Sequence, residues 1–298
     1  MLTYNNSIIL RSHAKINLSL DVLGKRPDGY HELKMIMQTI DLHDNVKVSR
    51  TLNAGQIELS SNSRFLPDNS KNIAYKAAKL ILGSYPQETV GSGVKIYINK
   101  KIPIGAGLAG GSGNAAAVIK AMNTLFNLNL NIETMCSLGL QLGSDVPYCI
   151  RGGTMLAEGR GEILTPLTPI PKSIFLIINP GESLSTATIF SSIKDITSLA
   201  HPDTDLLLSY LNYGDVISLL KNAVNSLELP ATAIMSSIPD VKDFMMKNGA
   251  HGTLMSGSGP TVFALYKDIK SAEKAKEAFL KSPLFKHKKY RLFTSCSC

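Results

Sequence analysis

The sequence predicts an α+β fold in two domains, and three observations support that prediction. Residues 16–23 (INLSLDVL) alternate apolar and polar side chains, which is typical of a half-buried strand. Residues 71–82 (KNIAYKAAKLIL) repeat apolar side chains at the spacing of an amphipathic helix. Three prolines lie between positions 166 and 171, the most proline-dense stretch of the chain. Domain boundaries favour such stretches, so we predict domains at 1–165 and 166–298.

The first hundred residues are predicted to be mostly strands. These strands cover residues 7–10, 16–23, 34–41, 45–49 and 94–98, with a turn at 24–29 and a polar hairpin within 50–70. The helix over 71–82 is expected to end at Gly83. Lys15 and Asn17 share the polar face of the second strand, where Lys15 is flanked by Ala14 and an apolar run.

The centre of the chain is a glycine-rich loop, residues 101–114 (KIPIGAGLAGGSGN). It follows a predicted strand and precedes a predicted helix over 115–126. This order presents free backbone N–H groups to an anion, and the helix dipole adds about half a positive charge at the helix start. Glycine lets the backbone approach phosphate oxygens closely. The loop therefore predicts a phosphate site, and a glycine turn without a ligand is the weaker alternative.

Residues 105–110 also match the dinucleotide fingerprint G-x-G-x-x-G. Three features argue against a nicotinamide or flavin site. Pro103 stiffens the start of the loop, the loop begins a third of the way along the chain, and residues 125–131 lack the expected acidic residue. No Gly-Lys-Ser/Thr follows, which excludes a Walker loop.

Asp145 lies in the sequence GSDVP, residues 143–147, which is expected to form a turn after a helix over 132–142. A turn aspartate is most often a cap, so this position alone does not assign a function. We predict that the chain continues from this turn into a strand at 148–150. Two glycine turns, at 152–153 and 159–161, follow.

The second half is predicted to mix helices with a few strands. Strands are expected at 173–179 and 290–293, and a strand pair over 252–266 is interrupted by a second glycine loop. Helices are expected within 183–190, 203–228, 238–248 and 271–280.

Composition excludes several classes of protein. Lys plus Arg number 31 and Asp plus Glu 23, giving a net charge of +8, which favours anionic ligands or aids solubility. Tryptophan is absent and the one dense basic run is 286–289, so we expect no nucleic-acid partner. The four cysteines form no Cys-x-x-Cys. The first residues lack a basic flank with a long apolar core, and no apolar run approaches about 18–20 residues, so we expect neither a signal peptide nor a membrane span. We therefore expect a cytoplasmic protein without membrane segments, disulfides or zinc, which is a monomer or a weak homodimer.

A lysine on a strand, an aspartate on a turn and a glycine phosphate loop together favour phosphoryl transfer to a hydroxyl. The attacking oxygen must lose a proton, which an aspartate can accept. A neighbouring lysine would keep that carboxylate ionised and neutralise charge on the transferred group. The sequence alone does not bring Lys15 and Asp145 together.

Five motifs give the chain a resemblance to the GHMP kinase superfamily over nearly its whole length. They are AKINL at 14–18, RPDGYH at 26–31, KIPIGAGLAGGS at 101–112, GSDVP at 143–147 and MSGSGPTV at 255–262. Among the family, the chain most resembles the members that phosphorylate the 2-hydroxyl of a CDP-linked branched tetritol in non-mevalonate isoprenoid synthesis. The resemblance implies a ribosomal-protein-S5-like N-terminal domain for ATP binding and catalysis and a ferredoxin-like C-terminal domain.

The resemblance also implies residue roles. Asp145 is expected to be the general base and Lys15 its cationic partner. ATP, the co-substrate, is expected to contact Pro103, Gly105, Gly107, Leu108, Gly110, Gly111 and Ser112 through its phosphates, with Lys100 and Asn72 near the adenosine. Tyr30 and Phe190 are expected to sandwich the cytosine, His31 to bind its edge, and Asn17 and Thr186 to hold the polyol or diphosphate of this small-molecule substrate.

One position departs from the family pattern. The loop usually ends Ser-Ser-Asn, whereas this chain has Ser112, Gly113 and Asn114. The lost hydroxyl removes one potential hydrogen bond, typically about 0.5–1.5 kcal/mol. We assign no protein ligand for Mg²⁺ and expect the ion to arrive with ATP.

Three alternatives stay open at this point. The nearest is another kinase of the same superfamily, acting on homoserine, mevalonate or a sugar. The others are a dinucleotide-dependent oxidoreductase that uses residues 105–110 and a non-catalytic RNA-binding module on the S5-like fold. Binding of NAD or FAD would favour the oxidoreductase. Salt-dependent RNA binding without ATP turnover would favour the RNA-binding module.

Overall fold

The computed structural model describes residues 6–286 and 289–298, so His287 and Lys288 of the basic run lie outside the described residues. Contacts divide the chain into two compact units. The first unit comprises Met1–Ala14, His43–Ile104 and Ala109–Gly152, and the second Lys15–Leu42, Gly105–Leu108 and Gly153–Cys298. The units are built from interleaved segments, and the domain boundary at 165/166 stays a prediction.

Two long strands begin the fold, β1 (Ser7–Lys25) and β2 (His31–Thr51), and they pair with each other. The predicted division of each of them into two strands is wrong. The polar residues between the apolar runs keep the extended backbone, because strand pairing uses main-chain groups whatever the side chain. The predicted turn is confirmed: Asp28 Oδ1 accepts from the Tyr30 amide at 3.1 Å, and Gly29 has a φ of +85°.

In the first unit, β2 pairs antiparallel with β4 (Gly93–Asn99), and β3 (Ile57–Ser61) pairs parallel with β4. The hairpin predicted within 50–70 is therefore wrong. Strand β3 joins β4 through the crossover helix α1 (Ile73–Ser84), since parallel neighbours need such a connection. Gly83 lies inside the last turn of α1 instead of ending it.

Three more helices complete the first unit: α2 (Gly110–Leu125), α3 (Ile132–Leu140) and α4 (Asp145–Arg151). Helix α2 is central, and its buried face packs against the other helices and the sheet. The strand predicted at 148–150 is wrong, because these residues belong to α4, where Tyr148 and Ile150 are buried as parts of a helix face. Asp145 consequently begins a helix.

In the second unit, the first part of β2 pairs with β5 (Thr154–Gly159), which pairs with β6 (Ile163–Pro166). Only the flanking glycine turns were predicted here, and neither strand was. Gly159 and Gly161 have φ values of +71° and +101° and form the turn between them.

The rest of the second unit is an antiparallel four-stranded sheet with helices. Its strands are β7 (Ile174–Asn179), β8 (Gly252–Met255), β9 (Val262–Tyr266) and β10 (Arg291–Cys296), in the order β10-β7-β9-β8. The β8–β9 pair with its glycine loop is confirmed. Strands and helices alternate as β, α, β, β, α, β, which is the predicted ferredoxin-like pattern.

The helices of this unit are α5 (Thr186–Ser191), α6 (Thr204–Asn212), α7 (Val216–Asn222), α8 (Glu228–Ile234), α9 (Ser237–Lys247), α10 (Ile269–Lys281) and α11 (Pro283–Lys286). The long helix predicted over 203–228 is wrong. It divides into α6 and α7 at Gly214, whose φ of +69° ends a helix. Within the described ranges, none of the helices combines the length and apolarity that crossing a bilayer requires.

Candidate functional site

The glycine loop 101–114 uses backbone conformations that side chains disfavour. Gly105 and Gly107 have φ values of +63° and +74°, and Ala109 reaches +53° immediately before α2 begins. Ala109 is the N-cap of α2, and its methyl side chain cannot accept a hydrogen bond from the first turn. The first turn of α2 also carries no acidic residue. No carboxylate of that turn therefore compensates the positive end of the α2 dipole.

In the second unit, the loop packs tightly on the second glycine loop. A methyl group at Gly107 would lie 2.0 Å from the carbonyl oxygen of Ser256, so only glycine fits. Ser256 Oγ donates to the Gly107 carbonyl at 3.0 Å. A methyl group at Gly105 would lie 2.9 Å from Ser183 Cβ. The two glycine motifs thus hold each other in place.

Lys15 lies beside both glycine motifs. Its amide donates to the Leu108 carbonyl at 3.2 Å, and its ammonium donates to Asn17 Oδ1 at 2.5 Å. A methyl group on Gly257 would lie 3.2 Å from Lys15 Nζ. Lys15 is only 5% exposed. The structure therefore places Asn17 and residues 105–108 of the glycine loop around the buried ammonium-bearing residue Lys15.

Asn225 shapes the second glycine loop, and sequence analysis missed it. Its side-chain amide donates to the carbonyls of Met255 and Gly257, both at 2.8 Å, and it is 3% exposed. A backbone bridge joins it to Leu20 of β1. Nothing in the sequence around Asn225 distinguishes it from other asparagines.

Helix α5 carries two of the predicted substrate residues. Thr186 Oγ1 lies 2.9 Å from Ser258 Oγ of the second glycine loop. At the other end of the helix, the Phe190 ring stacks on His31, with centroids 4.8 Å apart and planes inclined by 28°. Burial and the charge of Lys25 lower the pKa of His31, which favours the neutral imidazole.

Tyr30 faces a different partner from the one expected. Its ring, in a residue that is 55% exposed, lies under the Arg160 guanidinium at 4.7 Å. Phe190 is paired with His31 instead of facing Tyr30. The sandwich of a flat base between Tyr30 and Phe190 stays a prediction.

In the first unit, Asp44 organises the phosphate loop, and sequence analysis missed it as well. Its Oδ1 accepts from the amides of Lys101 and Ile102 at 2.7 and 2.9 Å. Its Oδ2 accepts from Lys100 Nζ at 2.5 Å and from Asn114 Nδ2 at 2.9 Å. One fully buried carboxylate thus ties the start of the loop to the first turns of α2. The signal in the sequence was a charged residue interrupting an otherwise strand-like run.

Lys100 is held at the start of α2 by this carboxylate. Its side chain is 4% exposed, and a methyl group at Gly110 would lie 2.7 Å from its Nζ. Asn72 caps α1 by accepting from the Ala74 amide at 2.9 Å. Both residues therefore have structural roles in the first unit, and their expected positions near the adenosine stay predictions.

Gly113 is explained by packing. A methyl group there would lie 2.6 Å from Ser12 Oγ and 3.2 Å from the His13 carbonyl oxygen. Ser12 Oγ also accepts from Asn114 Nδ2 at 3.1 Å, which fixes its position. Helix α2 approaches β1 closely at this point, and the Ser12 hydroxyl occupies the space that the side chain of the usual second serine would need.

We expect Gly113→Ala to lower the free energy of unfolding by about 1–2 kcal/mol, because overpacking outweighs the higher helix propensity of alanine. Ser12→Ala in the same chain should recover most of that loss by removing the hydroxyl. Urea unfolding of the full chain measures both effects. Gly111→Ala is the matched control, since a methyl group there meets only Ile73 Cγ2 at 3.5 Å. Equal stability of the two glycine variants would contradict the packing explanation.

Asp145 begins α4 and is half-buried. Ile73 lies between this region and the phosphate loop: its Cδ1 is 3.7 Å from a methyl group built at Gly143, and its Cγ2 is 3.5 Å from one at Gly111. A methyl group at Gly139 of α3 would lie 2.8 Å from Val146 Cγ1, so α3 and α4 pack closely. Within the first unit, Asp145 and the loop are thus positioned from a common core.

The predicted catalytic pair is divided between the units. Asp145 belongs to the first unit, with Gly110, Gly111 and Ser112. Lys15 belongs to the second, with the other half of the loop. Their approach to one substrate stays a prediction.

Family models match both halves of the chain. Residues 72–153 match the N-terminal domain of GHMP kinases, and residues 207–284 match the C-terminal domain of GHMP kinases. The first match contains the phosphate loop and Asp145, and the second contains Asn225 and the second glycine loop.

Curated relatives and solved structures agree with these models. The chain is 46% identical to a 4-diphosphocytidyl-2-C-methyl-D-erythritol kinase of Acetivibrio thermocellus, over 89% of this chain and 92% of the relative. It is 43% identical to a kinase of the same name from Clostridium perfringens, over 91% of this chain and 93% of that relative. A crystal structure of 4-(cytidine 5'-diphospho)-2C-methyl-D-erythritol kinase matches with a TM-score of 0.80 at 30% identity, covering 98% of this chain and all of that one. A homoserine kinase from Cytophaga hutchinsonii shares the fold, with a TM-score of 0.76 at 20% identity over 99% and 96% of the two chains.

Proposed function

The chain belongs to the GHMP kinase family, and from this premise we propose that it transfers the γ-phosphoryl group of ATP to the 2-hydroxyl of 4-(cytidine 5'-diphospho)-2-C-methyl-D-erythritol. The observation that carries the substrate assignment is the 43–46% identity over about nine-tenths of the chain to kinases of that name. Homoserine and mevalonate kinases share the fold at 20% identity or less, which supports the fold alone.

The two glycine motifs and α2 supply the phosphate site in this proposal. Gly105 and Gly107 bring bare backbone close to the ligand, and the first turn of α2 presents its amides and its dipole to the triphosphate. Mg²⁺ enters with ATP and neutralises phosphate charge. Residues 101–114 contain no carboxylate, so we assign no protein ligand for the ion.

Asp145 takes the proton of the substrate hydroxyl as that oxygen attacks the γ-phosphorus in line. Its position at the start of α4, where it is half-buried, supports this role, because the helix fixes its backbone while the carboxylate stays partly accessible. Lys15 supplies positive charge to the transferred group. What supports this role is its burial and its hydrogen bond to Asn17, which limit its ammonium to one small region.

The substrate is bound at its two ends by different residues. Asn17 and Thr186 hold the polyol or diphosphate, and Tyr30, His31 and Phe190 hold the cytosine. A neutral His31 can donate from one ring nitrogen and accept at the other, which suits the mixed edge of cytosine. Stacking on an aromatic ring contributes about 1–3 kcal/mol per base in single-strand binders.

Three further points belong to the same proposal. Lys100 and Asn72 lie near the adenosine, with Lys100 oriented by Asp44. The domains divide at 165/166, into an ATP-binding N-terminal domain and a C-terminal GHMP domain. The enzyme acts in the cytoplasm as a monomer or a weak homodimer, without a nucleic-acid partner.

An ADP-release assay tests the function. We expect turnover with the CDP-linked tetritol that exceeds turnover with mevalonate or homoserine by several orders of magnitude in kcat/KM. A preference for either of the other alcohols would show a different GHMP kinase. Stabilisation against heat by NAD or FAD, without ADP release, would instead favour an oxidoreductase.

A further inference from the structure

The connection between α5 and α6, residues 192–203, is tied to β1 through His201. Its Nδ1 lies 2.6 Å from Asp21 Oδ1, and its Nε2 lies 3.0 Å from the carbonyl oxygen of Ile196. Both of these partners are acceptors. A neutral imidazole carries one proton, so only an imidazolium can donate to both.

The surroundings of Asp21 favour that charged form. Asp21 is 6% exposed and lies on the strand that also carries Lys15 and Asn17. Ser226 Oγ lies 3.1 Å from Asp21 Oδ1 and 2.8 Å from the Ala200 carbonyl oxygen, which brings the residue before His201 to the same point. The hydrogen bond to Asp21 is the main cause that raises the pKa of His201. Burial has a smaller, opposing effect, and the hydrogen bond to the Ile196 carbonyl raises the pKa further.

Three carboxylates near this connection are engaged elsewhere in the described structure. Asp195 accepts from the amide and hydroxyl of Thr197, Asp203 accepts from the amide of Leu206, and Glu228 pairs with the ammonium of Lys242. Lys194 is exposed. Asp21 is therefore the charged partner on which the protonation of His201 depends.

The tied connection follows directly from α5, the short helix of Thr186 and Phe190. Helix α5 has only 6 residues and ends at Ser191. A helix this short has little stability of its own and depends on tertiary contacts. Leu199 is 9% exposed and anchors the connection by packing, while His201 supplies its ionic contact.

We propose that His201 is a positioning residue for the cytidine-linked substrate, given the function proposed above: its imidazolium fastens the α5–α6 connection to Asp21 and so holds Thr186 and Phe190 in register with Lys15 and Asn17. The contact is present while His201 is protonated. As pH rises through the folded-state pKa, which lies above the ordinary 6.5, the ring loses its charge and one of its two N–H donors. It can then no longer donate to both Asp21 and Ile196, and the charge-assisted contact weakens. Affinity for the cytidine substrate should therefore fall on the alkaline side. Protonation of His31 would act at lower pH, since its pKa is lowered.

The test measures KM for the CDP-linked tetritol and for ATP from about pH 6 to about pH 9, around the ordinary histidine pKa. In the unsubstituted protein, we expect KM for the tetritol to rise about threefold to tenfold with pH, as one charge-assisted hydrogen bond is lost, while KM for ATP does not follow. His201→Gln should show the high KM at every pH and no alkaline rise. His251→Gln is the matched control and should keep the rise, because His251 lies on the turn before β8.

A direct titration of the His201 ring by NMR separates this role from a loss of fold. We expect a pKa above 6.5 in the unsubstituted protein and a value near 6.5 in Asp21→Asn. An unshifted His201, or an alkaline rise that persists in His201→Gln, would overturn the proposal. Absence of turnover with the tetritol alongside a raised pKa would instead overturn the proposed substrate.

Discussion

Replacing Asp145 with Asn is expected to lower kcat by about 10²- to 10⁴-fold, the range for loss of a positioned general base. The amide has the same shape and can still accept hydrogen bonds at the start of α4, but it cannot take the proton of the attacking hydroxyl. The phosphate loop does not change, so ATP should bind with nearly unchanged affinity. ADP release at saturating substrate measures the first effect, and calorimetric titration of ATP measures the second.

Glu133→Gln provides the control for this variant. Glu133 lies on α3, is 65% exposed at its side chain and pairs with Arg151 of α4 at 3.3 Å. The substitution removes a carboxylate from the same helix pair without touching Asp145. Turnover should stay within about twofold, as expected for an exposed ion pair worth at most about 1 kcal/mol. Near-normal turnover of Asp145→Asn would exclude Asp145 as the base.

Asp44→Ala is expected to lower the free energy of unfolding by about 3–5 kcal/mol, because it leaves the buried ammonium of Lys100 without its carboxylate. The amides of Lys101 and Ile102 and the side chain of Asn114 lose the same acceptor. The loop start should detach from α2, which would raise KM for ATP. Urea unfolding of the full chain and ATP-dependent kinetics measure the two effects.

A double variant separates the two sources of that loss. Adding Lys100→Met to Asp44→Ala removes the buried ammonium that has lost this carboxylate but leaves the backbone amides without their acceptor. We expect the double variant to be more stable than Asp44→Ala alone. Asp68→Ala, at an exposed aspartate of the same unit, should change stability by less than about 0.5 kcal/mol. A loss no larger at Asp44 than at Asp68 would contradict the structural role of the buried carboxylate.

Local patterns sufficed wherever neighbours in the sequence decide the conformation. The β8–β9 pair and a helix after the glycine loop were predicted correctly, because glycine spacing and apolar periodicity act over a few residues. The start of that helix was wrong: α2 begins at Gly110, so residues 110–114 of the predicted loop are helical. Lys15 and Asn17 were identified by their shared strand face, and their hydrogen bond agrees with it. The resemblance to GHMP kinases rested on the same short motifs.

Long-range contacts decided what the patterns could not. Strand β3 pairs with β4 instead of forming a hairpin, because a crossover helix intervenes between them. Residues 148–150 are helical because their apolar side chains face α2 and α3, although their local sequence is equally typical of a strand. Phe190 stacks on His31 across more than 150 positions of the sequence.

The sequence by itself therefore determined the family and the glycine-rich segment, and it predicted the chemically able side chains, since each depends on residues a few positions apart. Only the tertiary structure revealed Asp44, Asn225 and the need for Gly113. Asp44 meets Lys100 and Asn114 across 56 and 70 positions, and Gly113 is required by Ser12 of a distant strand. The physical reason is that burial and close packing set the importance of a polar group or a missing side chain, and both are properties of the folded chain.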